Sequence, residues 1–455
     1  MNNQGPLPPV AASIRGGALV AGLVGMVLCA VGVFANIVDV RQFGRSYLFA
    51  YIFFLGLSLG SLALLMLHRQ VGGAWGILVR RPLESGAMTL PLMALLFLPI
   101  AMNMGAIYPW VNHPAASHVP EGGNPSTPSA LPDDAAHPEV KDHAEAKPGP
   151  VSLSPSLAKR AKFNFKDQVE ATNVERLHFK NLWLKPNAWM IRAAIYFAIW
   201  IVLALILNAG SKAQDRNASK ATDIAYRLQG LSAPGLVLYF LSVSFALVDW
   251  GMSLDPEWYS SIYGVLIIVG QGVSTMAFMI LITALITGRG ETDGLDTPET
   301  FNDLGNLLLA MTMLWAYISF SQFLIIWAGD LSEENPWYLV RLSGGWWYVG
   351  VGMIIFHFAV PFLLLLRRPF KRRIDTLWPV AALVLAAHFV NDYWLITPSF
   401  AIANDSLFNH WTDIAAPLGI GGLWLFVFFF FLKGKPLITL HDPELLPALR
   451  QAGGH

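Results

Sequence analysis

Ten stretches of this chain are long and apolar enough to cross a membrane, and every other reading must fit around them. A helix rises 1.5 Å per residue, so about twenty apolar residues cross the roughly 30 Å hydrocarbon layer. The runs lie near 17–37, 46–67, 87–109, 188–209, 231–252, 258–286, 303–328, 344–367, 376–397 and 412–433. They do not alternate polar with apolar residues as barrel strands do, and lipid admits only helices and closed barrels. Charged residues make up 13% of the 455 and hydrophobic ones 55%, whereas soluble domains carry about 25% charged. The expected fold class is therefore all-α integral membrane. The first run lacks an A-x-A cleavage pattern after it and reads as a retained helix.

The connecting charges predict an orientation. Arg69, Arg80 and Arg81 follow helix 2, and Lys212, Arg216, Lys220 and Arg227 follow helix 4. Arg289 follows helix 6, Arg367 to Arg373 supply five cations after helix 8, and Lys433 and Lys435 follow helix 10. The short loops after odd-numbered helices carry Arg41, Arg45 and Arg341. The positive-inside rule then puts both termini, 1–16 and 434–455, in the cytoplasm. The long loop 111–187 falls outside. Its part 112–158 is rich in Pro, Ala, Ser, His and Asp and lacks an apolar period, so it is expected to be irregular. His113, His118, His137 and His143 lie there with no zinc spacing. The tail from Pro436 carries spaced leucines and reads as an interfacial or docking segment.

Several chemistries are excluded. Net charge is zero, so no long-range field draws nucleic acid. Cys29 is the single cysteine, which rules out an internal disulfide, a four-cysteine zinc or iron–sulfur site and a C-x-x-C-H haem attachment. The soluble parts carry no nucleotide loop, nucleophile elbow or metal-ligand cluster. The chain is expected to hold no redox or metal centre of its own.

Ionisable groups at membrane depth cost about 2.5–3.5 kcal/mol each on insertion scales, so each is a functional candidate. Helix 9 holds His388, Asn391 and Asp392, with the first and last one helical turn apart on one face. That pair could exchange a proton with a quinol or along a chain, or tie two helices together. His357 lies mid-way along helix 8, where the alternatives are a haem ligand and an interhelical hydrogen bond. Helix 5 ends in Asp249-Trp250, before the turn Leu254-Asp255-Pro256-Glu257. Helix 7 begins with Asp303, and Asn306, Met313, Tyr317 and Ser321 follow at helical spacing, with Gln322 beside them and Gln271 on helix 6. Such a stripe lines a water path or faces another polar helix. Helices 5 and 9 both end in an acid beside aromatics, Asp249-Trp250 and Asp392-Tyr393-Trp394. This weak repeat predicts two four-helix bundles, helices 2–5 and 6–9, with helices 1 and 10 at the flanks.

Three phrases carry a resemblance: LSAPGLVLYFLSVSFALVDWGMSLDPEWYSSIYG (231–264), FNDLGNLLLAMTMLWAYISFSQFLIIWAGDLSEENPWYLVR (301–341), and the run from Gly344-Gly345-Trp346-Trp347 through FHFAVPFLLLLRR. They resemble ActF, the second quinone-binding-type, polysulfide-reductase-like membrane subunit of bacterial alternative complex III. The likeness runs over 17–440 and is densest in 231–400, while 112–158 looks like an insertion. It implies a subunit of a quinol:electron-acceptor oxidoreductase in the bacterial inner membrane. The implied partners are a multihaem c-type cytochrome, an iron–sulfur subunit, a homologous quinone-binding membrane subunit, a monohaem cytochrome c, small membrane subunits, lipids and in some cases a terminal oxidase. Haems and iron–sulfur clusters would sit in those partners. In that family the better-supported quinol site lies in the sister subunit.

The expected role is thus a scaffold in quinol oxidation and electron transport, with a proton path or a second quinone pocket. The candidates for either are Asp249, Asp303, Tyr317, Gln322, His357, His388 and Asp392. Two rivals stand beside it: a stand-alone secondary transporter coupling through Asp249 and Asp392, and a purely structural membrane anchor.

Overall fold

The computed structural model describes residues 9–112, 183–287, 294–331, 334–400, 410–433, 435–438, 441–445 and 447. Among the described residues, ten helices are long and apolar enough to cross a membrane, as expected of a multi-pass membrane protein. They are α1 (Pro9–Phe34), α2 (Val40–Val71), α3 (Ala74–Met102), α4 (Pro186–Arg216), α5 (Ala221–Trp250), α6 (Tyr263–Ile286), α7 (Pro298–Gly329), α8 (Trp346–Leu366), α9 (Ile374–Ile396) and α10 (Thr412–Leu432). No strand occurs among the described residues. The chain divides into 1–112 with 186–455, and a separate unit 113–185. The expected irregular loop and its four histidines lie outside the described residues.

The two bundles are present. Helices α2 to α5 pack together, as do α6 to α9, and α2 and α6 join the two halves. There the backbones nearly touch: a Cβ on Gly60 would stand 2.5 Å from the Gln271 carbonyl oxygen. The flanking helices α1 and α10 pack chiefly on each other, and α10 also lies on α2. A Cβ on Gly22 would stand 2.6 Å from the Leu423 nitrogen, and one on Gly25 would stand 2.7 Å from the Ala415 oxygen. Small residues are what allow such close approach where lipid gives no hydrophobic drive.

The third helix differs most from expectation. It was expected at 87–109 but begins at Ala74, and it is broken after Ala87, just before Pro91, and again at Phe97, just before Pro99. Proline removes a donor and clashes with the preceding turn, so breaks fall there. Arg80 and Arg81, expected in a loop, lie inside this helix at 2% and 0% exposure, and Arg69 is buried at the end of α2. Helix α5 likewise starts ten residues before its apolar run, at Ala221.

Candidate functional site

The polar groups of the second bundle converge around one turn of α8. Residues 354–359 form a π-helical turn carrying His357, followed by Pro361. Proline at that position cannot bond to the carbonyl four residues back, which is the carbonyl of His357, and the wider turn accommodates the ring. His357 is fully buried, and its ring centroid lies 3.9 Å from that of Trp315 on α7 and 5.3 Å from that of His388 on α9. His388 Nε2 stands 3.6 Å from Asp392 Oδ1, a pairing distance rather than a hydrogen bond. Asn391 Nδ2 donates to the same oxygen at 3.4 Å. Gly270 on α6 leaves room for the His388 ring: a Cβ there would lie 2.5 Å from His388 Cε1.

This row is short of partners. Neither ring nitrogen of His357, nor His388 Nδ1, has a hydrogen-bond partner among the described residues. The same holds for Trp315 Nε1, Ser319 Oγ and both amide atoms of Gln322. Trp315, Ser319 and Gln322 share one face of α7 by their spacing. Buried polar groups are normally satisfied, so a cluster of exceptions calls for a functional explanation. The inward polar face of α7 is not the one the sequence suggested. Tyr317 is 66% exposed and Met313 41%, so the expected stripe through Tyr317 faces outward. Ser319, which no sequence argument singled out, belongs to the inner face. Asp303 is half-buried and stands about 18 Å along α7 from Trp315 at 1.5 Å per residue, so it is no direct neighbour of the imidazoles.

Beyond Asp392 the polar groups continue toward the end of the bundle where α9 stops. Tyr263, fully buried, opens α6 at that end. Asp255 Oδ2 accepts from Ser399 Oγ at 2.5 Å, and Ser399 Oγ accepts from Arg341 at 2.7 Å. Arg341 also donates to the Trp337 and Leu395 carbonyls, and its guanidinium lies 3.6 Å above the Trp337 ring. Burial pushes the Arg341 guanidinium down to about 10. Burial also pushes the Asp255 carboxyl above its ordinary 3.8, against the pull of Arg341 and Ser399. A carboxyl raised on folding holds its proton more tightly in the folded state. Its contribution to stability is full below the ordinary value and is lost as pH rises through the raised one. Asp255→Asn should therefore flatten the decline of thermal stability with rising pH above 3.8. A decline as steep in the variant as in the parent would place the titrating group elsewhere.

The acid of the first bundle has a different environment. Asp249 is fully buried and holds Arg192 through two bonds of 2.8 Å, with the Tyr196 hydroxyl donating at 3.0 Å. Trp189 and Ser253 donate to its backbone carbonyl. A carboxylate clamped by a guanidinium fork is a structural tie. Arg192, an arginine inside an apolar run, was the overlooked signal. A second tie joins α2, α9 and α10: Arg45 donates to the Tyr393 hydroxyl at 2.7 Å and lies 3.5 Å from Asp413, and Ser46 donates to Asp413 at 2.5 Å.

A half-open apolar groove of about 300 Å³ runs between α8 and α9, lined by Tyr348, Val349, Gly352, Met353, Phe356, Ala387 and Val390. Tyr348 is the one lining residue with a hydroxyl. A quinone ring needs apolar walls and a polar group on its carbonyl oxygen, and here neither histidine lines the groove.

No family model matches the chain. No curated protein matches it either.

Proposed function

We propose that this chain is a membrane subunit of a quinol-oxidising electron-transfer complex in a bacterial cytoplasmic membrane, and that its second bundle conducts protons. The observation that carries the proton reading is the buried row of His357, His388 and Asp392 with three unpartnered imidazole nitrogens. Imidazole both gives and accepts a proton, and gaps of one bridging water connect such groups. The assembly reading is supported by the three phrases at 231–264, 301–341 and 344–368 that resemble the ActF-type subunit. On that reading the termini are cytoplasmic, redox chemistry belongs to partner subunits, and quinol is oxidised in the homologous sister subunit.

The pathway runs from the Trp315 face of α7 to His357, then His388, Asp392, Tyr263 and the Asp255–Ser399 pair. His388 and Asp392, one turn apart, share a proton as a unit, while Asn391 orients the carboxylate. The bis-histidine haem reading loses ground, because the Trp315 ring packs 3.9 Å from the His357 ring, centroid to centroid. The transporter reading loses its first coupling site, because Asp249 is held by Arg192.

In the assembled complex, Asp392→Asn is expected to keep quinol oxidation and lower proton translocation per electron. Unchanged proton yield with normal assembly would reject the path. Lost quinol oxidation, with the sister subunit intact, would move the reading to a quinone pocket in this chain. Purification tests the assembly itself: a haem-containing multi-subunit particle agrees with it, and an isolated homo-oligomer favours the transporter.

A further inference from the structure

The end of the first bundle opposite Asp249 holds a second concentration of buried charge. Arg69, at 5% exposure, closes α2, and Arg80 and Arg81 lie in the first turns of α3. Arg81 is engaged through both terminal nitrogens, its Nε alone being unmade: it donates to Glu84 at 2.9 Å, to Ser211 at 2.8 Å and to both oxygens of Asp215 at 2.6 Å. Arg69 and Arg80 have no such partner within the bundle. Nε and one terminal nitrogen of Arg69 lack any hydrogen-bond partner among the described residues, as does Nε of Arg80. A buried guanidinium with unmade bonds is costly, so the site is built to meet an anion.

The anion it meets here comes from the chain's own C-terminal segment. Asp442 forms an ion pair with Arg80 and also accepts from Gln214 at 3.2 Å. Glu444 reaches the α2–α3 turn, where its Oε1 lies 3.1 Å from where a Cβ on Gly72 would stand and its Oε2 lies 4.0 Å from Nε2 of His68, the residue before Arg69. Gly72 and Gly73 have φ of 67° and 103°, left-handed backbone that keeps this turn bare and open to the carboxylate. Lys435 completes the contact by donating to Asn208 at 2.9 Å. The three arginines exceed Glu84 and Asp215 by one positive charge, and Lys435, Asp442 and Glu444 bring one net negative.

The geometry points to a phosphate-accepting site at Arg69 and Arg80, covered by Asp442 and Glu444, whose carboxylates occupy the place of the phosphate oxygens. The guanidinium fork matches phosphate as well as carboxylate, and a phosphate group offers enough acceptors to satisfy both side chains at once. The phosphate belongs either to an anionic lipid headgroup or to a soluble compound. In both cases the C-terminal segment lifts as the ligand binds. The site lies in the first bundle, and it stands whether or not the second bundle conducts protons.

The test uses the full-length chain in nanodiscs. Asp442→Asn with Glu444→Gln is expected to gain at least about tenfold in affinity for phosphate, the worth of one charge-assisted hydrogen bond. Inorganic phosphate is followed by thermal shift, and phosphatidylglycerol by its retention against phosphatidylcholine in native mass spectrometry. A gain with inorganic phosphate assigns a soluble ligand, and a gain with phosphatidylglycerol alone assigns a lipid. Adding Arg69→Gln and Arg80→Gln should abolish the gain; a gain that persists overturns the site. The unmodified protein supplies an arm free of folding defects. Phosphate, against chloride at equal ionic strength, or phosphatidylglycerol, against phosphatidylcholine, should raise deuterium uptake over 441–445. No gain in the variant and no rise in uptake with either probe would overturn the proposal.

Discussion

Replacing Arg81 with methionine is expected to destabilise the protein by about 3–5 kcal/mol, the cost of removing one partner from a buried ion pair. Arg81 is fully buried and is the hub to which Glu84 and Asp215 are both bonded. Its loss leaves Glu84, at 1% exposure, with Lys435 Nζ at 3.7 Å as its nearest counter-ion. The cost lies in the stranded carboxylates more than in the missing contact, and this can be separated experimentally. The triple change Arg81→Met, Glu84→Gln, Asp215→Asn removes the charges together and should recover much of the stability. Arg81→Lys should fall between the parent and the single variant, because one ammonium cannot serve Asp215 and also Glu84 with Ser211, which two separate guanidinium nitrogens reach in the parent. Thermal unfolding followed by tryptophan fluorescence in detergent checks all three. A triple variant as unstable as Arg81→Met would show that arginine packing, not charge, is what the site requires.

The same residues mark where sequence reasoning reached and where it stopped. Apolar run length is a local property, so the ten helices were legible, and the repeat of Asp249-Trp250 in Asp392-Tyr393-Trp394 made their grouping into two bundles legible. The start of α3 was not, because Arg80, Arg81 and Glu84 read locally as a polar loop. They are tolerated inside a helix because Asp215 and Asp442, far away in sequence, neutralise them. A hydropathy window cannot see a partner more than one hundred residues distant. Arg192 was missed for the same reason, since its meaning depends on Asp249 from the next helix. In the second bundle the His388–Asp392 pair was legible from one-turn spacing within a helix. The approach of His357 to His388 depends on how α8 packs against α9, and on the π turn that aims the ring. Tyr317 was assigned to the inner face from spacing alone. Spacing fixes which residues share a face but not which face looks inward, and the heavier polar set at Trp315, Ser319 and Gln322 took that place.

Gly270→Ala should destabilise the protein, and the sign of that change is itself diagnostic. In a helix interior, alanine normally stabilises relative to glycine by about 0.5–1 kcal/mol, so α6 on its own predicts a gain. The expected result is a loss of about 1–3 kcal/mol, the usual cost of forcing an atom into a filled core. The new Cβ would stand 2.5 Å from Cε1 and 3.0 Å from Nε2 of His388, so the imidazole must move. It has little room to do so, with the His357 ring on one side at 5.3 Å and the Phe53 ring at 6.4 Å, centroid to centroid. Removing the obstacle should reverse the effect: in a His388→Ala background, Gly270→Ala should be neutral or stabilising, giving a coupling of about 0.5–3 kcal/mol between the two positions. Equal costs in both backgrounds would mean that the added methyl meets something other than the imidazole. The functional readout follows from the same displacement. A ring pushed off its position loses its 3.6 Å approach to Asp392, so Gly270→Ala in the assembled complex should lower proton yield per electron as Asp392→Asn does. Quinol oxidation should persist, because no group in that row is asked to touch the quinol.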